Sequence, residues 1–263
     1  MLKTDYIFQL YAFVLGSCVG SFVNVCIYRL PRDLAIARTR SRCMRCGSKV
    51  PWYDNIPIWS YLYLKGRCRA CGSPFGVVHV LIEAFLGLLA WRMFQNEVFT
   101  FSTFYWFCFA TALVIVSIID LEHKIIPDII SIPGIVLGVS VAGLTSWLGN
   151  DWPVTFWQSL VGGAFGGGLL WIVGAIYERI TDREGIGFGD VKLLALFGVH
   201  VGIPGVITSL FFGSFLGALF GLVFIVYQKK GKRTPIPFGP FLCSGLAIYA
   251  TIGQKWIYWL FPL

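Results

Sequence analysis

Charged side chains are scarce in this sequence, because only 13% of its 263 residues are Asp, Glu, Lys or Arg and 57% are hydrophobic. Soluble globular domains have about 25% charged residues and about 45–50% apolar ones. Low-complexity segments and long linkers are also lacking, and the apolar residues form long blocks. These features exclude an ordinary soluble domain and predict a protein that spans a membrane.

The apolar blocks have the length that membrane helices require. A hydrocarbon core of ~30 Å needs about 20 apolar residues in a helix, and helices satisfy their own backbone groups where water is absent. We therefore predict an all-α polytopic membrane protein with about eight transmembrane helices. These spans are residues 6–27, 77–93, 101–119, 129–148, 156–177, 191–203, 206–227 and 238–260, with a break at Pro204 and Gly205.

The basic residues are concentrated on one side of the predicted spans. The chain has 21 Lys and Arg against 13 Asp and Glu, and only Lys3, Arg92 and Lys255 lie on the opposite side. Because loops rich in Lys and Arg stay in the cytoplasm, we expect both termini outside and residues 28–76 inside. The positive charge then reflects topology, and we expect no nucleic-acid partner.

Residues 28–76 form the only long polar stretch and carry four cysteines in two C-x-x-C pairs. The pairs are Cys43 with Cys46 and Cys68 with Cys71, a pattern typical of tetrahedral structural zinc. Disulfides are disfavoured in a reducing compartment, and redox chemistry usually needs one such pair. We therefore predict a first transmembrane helix (1–27), a cytoplasmic zinc-binding domain (28–76) and a transmembrane domain that carries the chemistry (77–263).

Two acidic residues lie at predicted membrane boundaries. Asp120 ends the third span, and Asp190 follows glycines at 185, 187 and 189 and opens the sixth. Acidic residues beside a membrane core are costly and indicate function. Paired carboxyl groups hydrolyse peptides because one, ionised, takes a proton from water while its neutral partner donates one. The topology predicts the same cytoplasmic depth for both, and the glycines would let an extended substrate approach.

Other interpretations of these residues remain open from composition alone. Asp120 could end a helix in headgroup water, and Asp190 could be an N-cap. A proton-coupled transporter with an acidic relay and a scaffold that docks a partner through the zinc domain are alternative classes. We read His123 and His200 as interfacial or polar-loop residues, and the glycines within 161–168 as helix-packing residues. Further acids that could pair are Glu122, Asp128, Asp182 and Glu184.

Five motifs, in order, resemble the type IV prepilin peptidase family, which consists of intramembrane aspartyl proteases with a GxGD motif. They are residues 16–31, the two Cys pairs around 51–57, residues 120–128, residues 187–190 and residues 236–240. The resemblance implies that Asp120 and Asp190 are the catalytic pair. It also implies that Gly187, Gly189 and Asp128 support the active-site loop.

The same resemblance implies a substrate and a second activity. The substrate would be a prepilin or pseudopilin of a type IV pilus or type II secretion system. Its leader would be removed at the cytoplasmic face of the bacterial inner membrane. Members with the four cysteines also methylate the new amino terminus with S-adenosylmethionine, for which Gly66 and Glu83 are candidate binding residues.

Overall fold

The structure is a computed structural model that describes residues 2–36, 41–94, 100–149, 152–182, 185, 187–228 and 237–253. These residues contain eight α-helices and no β-strand, which confirms the all-α prediction. The helices are α1 (Leu2–Arg29), α2 (Trp59–Tyr63), α3 (Val77–Met93), α4 (Phe101–His123), α5 (Asp128–Leu148), α6 (Phe156–Thr181), α7 (Phe188–Gln228) and α8 (Gly239–Ile252).

Five of these helices, α1 and α4 to α7, are long and apolar enough to cross a membrane. Helices α3 and α8 are shorter, with 17 and 14 residues; the end of the eighth predicted span, 254–260, lies outside the described residues. The sixth and seventh predicted spans form one element, α7, in which Gly202 has non-helical angles of φ 68° and ψ −172°. The predicted break therefore falls at Gly202, just before Pro204. The protein is a multi-pass membrane protein.

Local chemistry accounts for several helix ends. At the start of α6, the Thr155 side chain accepts a hydrogen bond from the Gln158 N–H while the Gln158 side chain accepts one from the Thr155 N–H, a capping box. Helix α5 ends at Gly149, whose left-handed φ of 66° is favourable for a residue without Cβ. These signals set where the polypeptide leaves each apolar segment.

The chain divides into two compact units, Met1–Ile115 and Val116–Leu263. In the first unit, α1 and α3 approach closely at small residues. A methyl group added at Gly16 would lie 2.5 Å from the Leu86 carbonyl oxygen, and one added at Gly20 would lie 2.6 Å from Cα of Glu83. Glycine is required at both positions because the helix backbones touch there.

In the second unit, α6 packs against α7 along the glycine-rich face of α6. Methyl groups added at Gly162 or Gly166 would collide with the carbonyl oxygens of Gly198 and Leu194. On the other side of α7, a methyl group at Gly213 would lie 2.9 Å from the Phe241 carbonyl oxygen of α8. The predicted packing role is confirmed for the glycines at 162, 163, 166 and 167 but not for Gly168, which has no neighbour within 4 Å.

His200 of α7 is buried, with 3% of its surface exposed. Its Nδ1 donates to the Leu196 carbonyl oxygen at 2.8 Å, and the ring packs against α5 at Gly138. The interfacial location expected for His200 is therefore wrong. Burial is tolerated because the glycine leaves space for the ring and the helix backbone supplies an acceptor.

The glycine contacts generate a matched test on α6. We expect Gly162→Ala to destabilise the protein by about 1–3 kcal/mol because the added methyl group overpacks the contact with α7. The control is Gly168→Ala on the same helix, where an added methyl group meets no neighbour within 4 Å. Thermal unfolding in detergent measures the difference, and equal midpoints for the two variants would contradict this packing.

Candidate active site and metal centre

The first predicted acid lies on the last turn of α4. Asp120 is only 5% exposed, and its carbonyl oxygen accepts a hydrogen bond of 2.9 Å from the N–H of Lys124. Lys124 has a left-handed φ of 58° and ends the helix. Pro127 then disfavours a helical conformation at Ile126, so the chain turns before α5 begins at Asp128.

The second predicted acid lies on the first turn of α7. The Asp190 N–H donates to the Gly187 carbonyl oxygen at 3.0 Å, and the side chain is half-buried. A methyl group added at Gly187 would lie 3.6 Å from Oδ2 of Asp190, and one added at Gly189 would lie 3.1 Å from Cβ of Ile126. The glycine-rich approach therefore leaves the Asp190 carboxyl group beside exposed backbone at Gly187.

Helix α8 supplies a donor to the first acid. The Gly239 N–H donates to Oδ2 of Asp120 at 2.9 Å. A methyl group at Gly239 would lie 2.8 Å from the same oxygen, closer than side-chain carbon normally approaches. The absence of a side chain at Gly239 is therefore a condition for this hydrogen bond.

The two acids, 70 residues apart in sequence, meet in space. Their carboxyl groups interact electrostatically, and both also interact with the thiol of Cys243, which is buried on α8 beside Ser117. The ends of α4, α7 and α8 thus converge on one pair of carboxyl groups. This arrangement places two acids close enough for the charge of one to affect the other.

The other candidate acids are placed differently. Asp128 forms an ion pair with Lys192, and Asp182 is an exposed residue that ends α6 with φ 51°. Glu122 has its carboxylate 3.9 Å from Nε2 of His123, and Glu184 lies outside the described residues. Asp128 and Glu122 thus have basic neighbours, and Asp182 is exposed.

The four cysteines of the polar insertion form one cluster in the first unit. The sulfur atoms of Cys43, Cys46, Cys68 and Cys71 all lie within 4.8 Å of one another. The Cys43 and Cys71 sulfurs are 3.9 Å apart, close to the roughly 3.8 Å expected between ligands bound tetrahedrally at about 2.3 Å. The cluster therefore fits a bound metal ion.

The two Cys pairs form turns of the same design. The N–H of Cys43 donates to the Ser48 carbonyl oxygen at 2.9 Å, and that of Cys68 donates to Ser73 at 2.8 Å. Each turn closes with a left-handed glycine, Gly47 at φ 70° in the first and Gly72 at φ 68° in the second. Two equivalent turns thus present their sulfurs to a common centre.

Hydrogen bonds favour the metal-binding form of two of the four thiols, Cys43 and Cys71, while the pKa of the Cys68 thiol is raised. Hydrogen bonds from the N–H groups of Cys46 and Arg45 lower the pKa of Cys43 to about 6. The Ser73 hydroxyl lowers the pKa of Cys71. A lowered pKa favours the thiolate, which is the form that binds metal.

The two candidate methyl-donor residues have well-defined contacts in the first unit. Gly66 has φ 66°, and a methyl group added there would lie 2.9 Å from the Tyr61 ring. The Glu83 carboxylate accepts a hydrogen bond of 2.8 Å from the Ile58 N–H. Ile58 itself has φ 61°, which is unusual for a β-branched residue. Their role in methyl-donor binding stays a prediction.

Sequence reasoning missed three residues next to the acids. Gly239 falls in the last motif of the resemblance, but its N–H donor role has no pattern of its own. Ile126 lies in an apolar stretch, where only the following Pro127 indicates that Ile126 is extended. Cys243 is buried in an apolar helix, and its proximity to two acids is visible only in the three-dimensional structure.

Two family models match this chain. Residues 14–96 match the family described as the bacterial peptidase A24 N-terminal domain, and residues 107–222 match the type IV leader peptidase family. Gly239 and Cys243 lie beyond the second match. No solved structure matches the chain.

Similar curated proteins carry the name prepilin leader peptidase/N-methyltransferase. The protein of Myxococcus xanthus is 36% identical, covering 87% of this chain and 67% of the relative. That of Pseudomonas aeruginosa is 31% identical over 95% of this chain and 90% of its own length. That of Pseudomonas putida is 33% identical, with coverages of 93% and 89%.

The apolar helices, the cysteine cluster and the family match together define a multi-pass membrane enzyme, a peptidase with a four-cysteine insertion. More specifically, the chain belongs to the type IV leader peptidase family. The family membership predicted from the motifs is confirmed.

The cysteine geometry predicts metal content. We expect the purified protein to hold about one divalent metal ion per chain, and Cys71→Ser to lose most of it because one of four ligands is removed. Cys108→Ser is the control, since Cys108 lies on α4 outside the cluster. Elemental analysis after dialysis against a chelator provides the measurement; a metal-free native protein would contradict the assignment.

Proposed function

We propose that this enzyme removes the leader of prepilins or pseudopilins at the cytoplasmic face of the bacterial inner membrane, using Asp120, Asp190 and water. It then methylates the new amino terminus with S-adenosylmethionine. The curated relatives are named for both activities. The observation that carries the peptidase proposal is the meeting of two carboxyl groups from the ends of α4 and α7.

The chemistry needs only the two acids and water. The ionised carboxyl group takes a proton as the water oxygen attacks the peptide carbonyl carbon. The neutral carboxyl group donates its proton to the amide nitrogen, and the C–N bond then breaks. The products are a free carboxyl terminus on the leader and a free amine on the mature protein.

The hydrogen bond from Gly239 supports an orienting role at Asp120. The backbone N–H holds Oδ2 at 2.9 Å, which leaves Oδ1 as the oxygen that can face the reacting group. A backbone donor cannot rotate away as a side chain can, so the geometry is preorganised. The half-buried Asp190 and the exposed Gly187 support access of an extended substrate from the loop before α7.

The cytoplasmic location rests on the charge near these helix ends. Lys124 follows α4, and Lys192 lies on the first turn of α7. Loops with Lys and Arg stay in the cytoplasm. We therefore propose that the acids and the insertion at 28–76 are cytoplasmic and both termini are outside.

We propose that the ion held by the four cysteines is zinc with a structural role. Four thiolates are a common zinc ligand set and leave no open coordination position for catalysis. The insertion would then be the methyl-transfer domain, with Gly66 and Glu83 next to the methyl donor. The donor supplies an electrophilic methyl group, and the new amine of the substrate supplies the nucleophile.

Replacing either acid tests the peptidase mechanism. We expect Asp120→Asn and Asp190→Asn each to lower kcat for prepilin cleavage by about 10²–10⁴-fold, because an amide cannot exchange the catalytic proton. Cleavage is measured in a membrane preparation with a prepilin substrate, reading the amino terminus by mass spectrometry.

Asp182→Asn is the matched control for this substitution. Asp182 is exposed and has a left-handed φ of 51°, which asparagine tolerates well. This variant should cleave at the wild-type rate. Wild-type cleavage by correctly inserted Asp120→Asn or Asp190→Asn protein would reject the mechanism.

A second substitution tests the methyl-transfer proposal. A hydrogen bond to a charged group contributes about 1.5–3 kcal/mol, and each 1.4 kcal/mol corresponds to about tenfold. We therefore expect Glu83→Gln to slow methylation by about tenfold or more while cleavage continues. The mass of the mature amino-terminal peptide reports both steps, since methylation adds one CH₂.

The control for Glu83→Gln is Glu178→Gln, on the exposed last turns of α6. It should leave both cleavage and methylation unchanged. Full methylation by Glu83→Gln protein would remove Glu83 from the proposed donor site without affecting the peptidase proposal.

A further inference from the structure

The four residues between α4 and α5 form a short turn beside both acids. Helix α4 ends at His123 and α5 begins at Asp128. The left-handed Lys124 reverses the chain, and Pro127 keeps the preceding residue extended. The side chain of Ile126 therefore points back to the site and is buried, with 9% exposure, while its neighbour Ile125 is 46% exposed.

Ile126 contacts the two backbone segments that control the acids. A methyl group added at Gly189, the residue before Asp190, would lie 3.1 Å from Cβ and 3.3 Å from Cγ1 of Ile126. One added at Gly239, whose N–H binds Asp120, would lie 3.5 Å from Cδ1 of Ile126. Different atoms of one side chain thus meet the start of α7 and the start of α8.

The turn between α4 and α5 is also linked to α7 by an ion pair at the first residue of α5. Asp128, two residues after Ile126, forms an ion pair with Lys192, two residues after Asp190. The Asp128 side chain is 59% exposed, and exposed ion pairs contribute little. The buried apolar side chain of Ile126 therefore dominates the connection.

We propose that Ile126 is a positioning residue that fixes the separation of the Asp120 and Asp190 carboxyl groups. Its branched side chain lies between Gly189 and Gly239 and leaves little room for a side chain at Gly189. Packed interiors deform little, so shortening this side chain lets the two glycine segments shift relative to each other. The proposal rests on the proposed function, because it concerns the geometry of that catalytic pair.

The contacts predict a graded series of variants. Ile126→Val keeps Cβ and a γ carbon against Gly189 but loses the δ carbon that reaches Gly239. Ile126→Ala keeps only Cβ near Gly189 and loses the γ and δ carbons that reach Gly189 and Gly239. Because a misplacement of about 1 Å can cost about 10²-fold in rate, we expect kcat to fall by about 10- to 100-fold for Ile126→Ala and by less for Ile126→Val.

The experiment measures kcat and KM for prepilin cleavage in full-length, membrane-inserted protein, with thermal unfolding as the check on folding. Ile125→Ala is the control, since it removes the same atoms from the exposed neighbouring residue. We expect kcat to fall most for Ile126→Ala and less for Ile126→Val, while KM changes less than threefold. The Ile125→Ala protein should keep the wild-type kcat.

Two results would overturn the positioning role. One is a wild-type kcat for folded Ile126→Ala protein. The other is a loss of kcat that tracks only the folded fraction and is equal in Ile125→Ala. Either result rejects only the positioning role if the Asp120→Asn and Asp190→Asn proteins are inactive. If those aspartate variants are active, the peptidase mechanism itself is rejected.

Discussion

The hydrogen bond from the Gly239 N–H to Asp120 is the constraint on which the rest of the site depends. It brings the start of α8 within 2.9 Å of a carboxyl oxygen at the end of α4, and it leaves no space for a side chain at residue 239. Helix α8 can take this position because it packs against α7 through Gly213 and Gly245. The glycine contacts between helices and the polar contact at the acid are therefore parts of one arrangement.

The protein keeps two acids at a helical membrane site with little help from charged side chains. Asp120 receives a backbone donor, and Lys192, the cation on the turn that carries Asp190, is paired with Asp128. A cation paired with either acid would hold it in its ionised form. The observed arrangement leaves the two carboxyl groups to influence each other, which suits an exchange of one proton between them.

The sequence was sufficient for those parts of the structure that follow from composition and spacing. Apolar blocks predicted the long helices, two C-x-x-C pairs predicted the cysteine cluster, and glycine spacing predicted that residues 161–168 pack closely against another helix. Composition could not identify the partner of Asp120, because a backbone N–H has no sequence signature. It also misplaced His200, since the space that receives its ring is created by Gly138 on another helix. Contacts between distant backbone segments were the main information that the residues alone did not contain.

The polar insertion has a consequence for how the enzyme depends on its cell. Residues 41–76 are all described by the structure, and no aliphatic or aromatic side chain among them is buried. The buried hydrophobic residues of this segment are two of the clustered cysteines, Cys43 and Cys68. A segment without a hydrophobic core would take most of its folding free energy from an ion bound by the four cysteines. With zinc as the proposed ion, starvation for that metal would unfold the insertion while the glycine-packed membrane helices persist. The supply of this metal to the cell would then control the proposed methyl-transfer activity without controlling the peptidase activity.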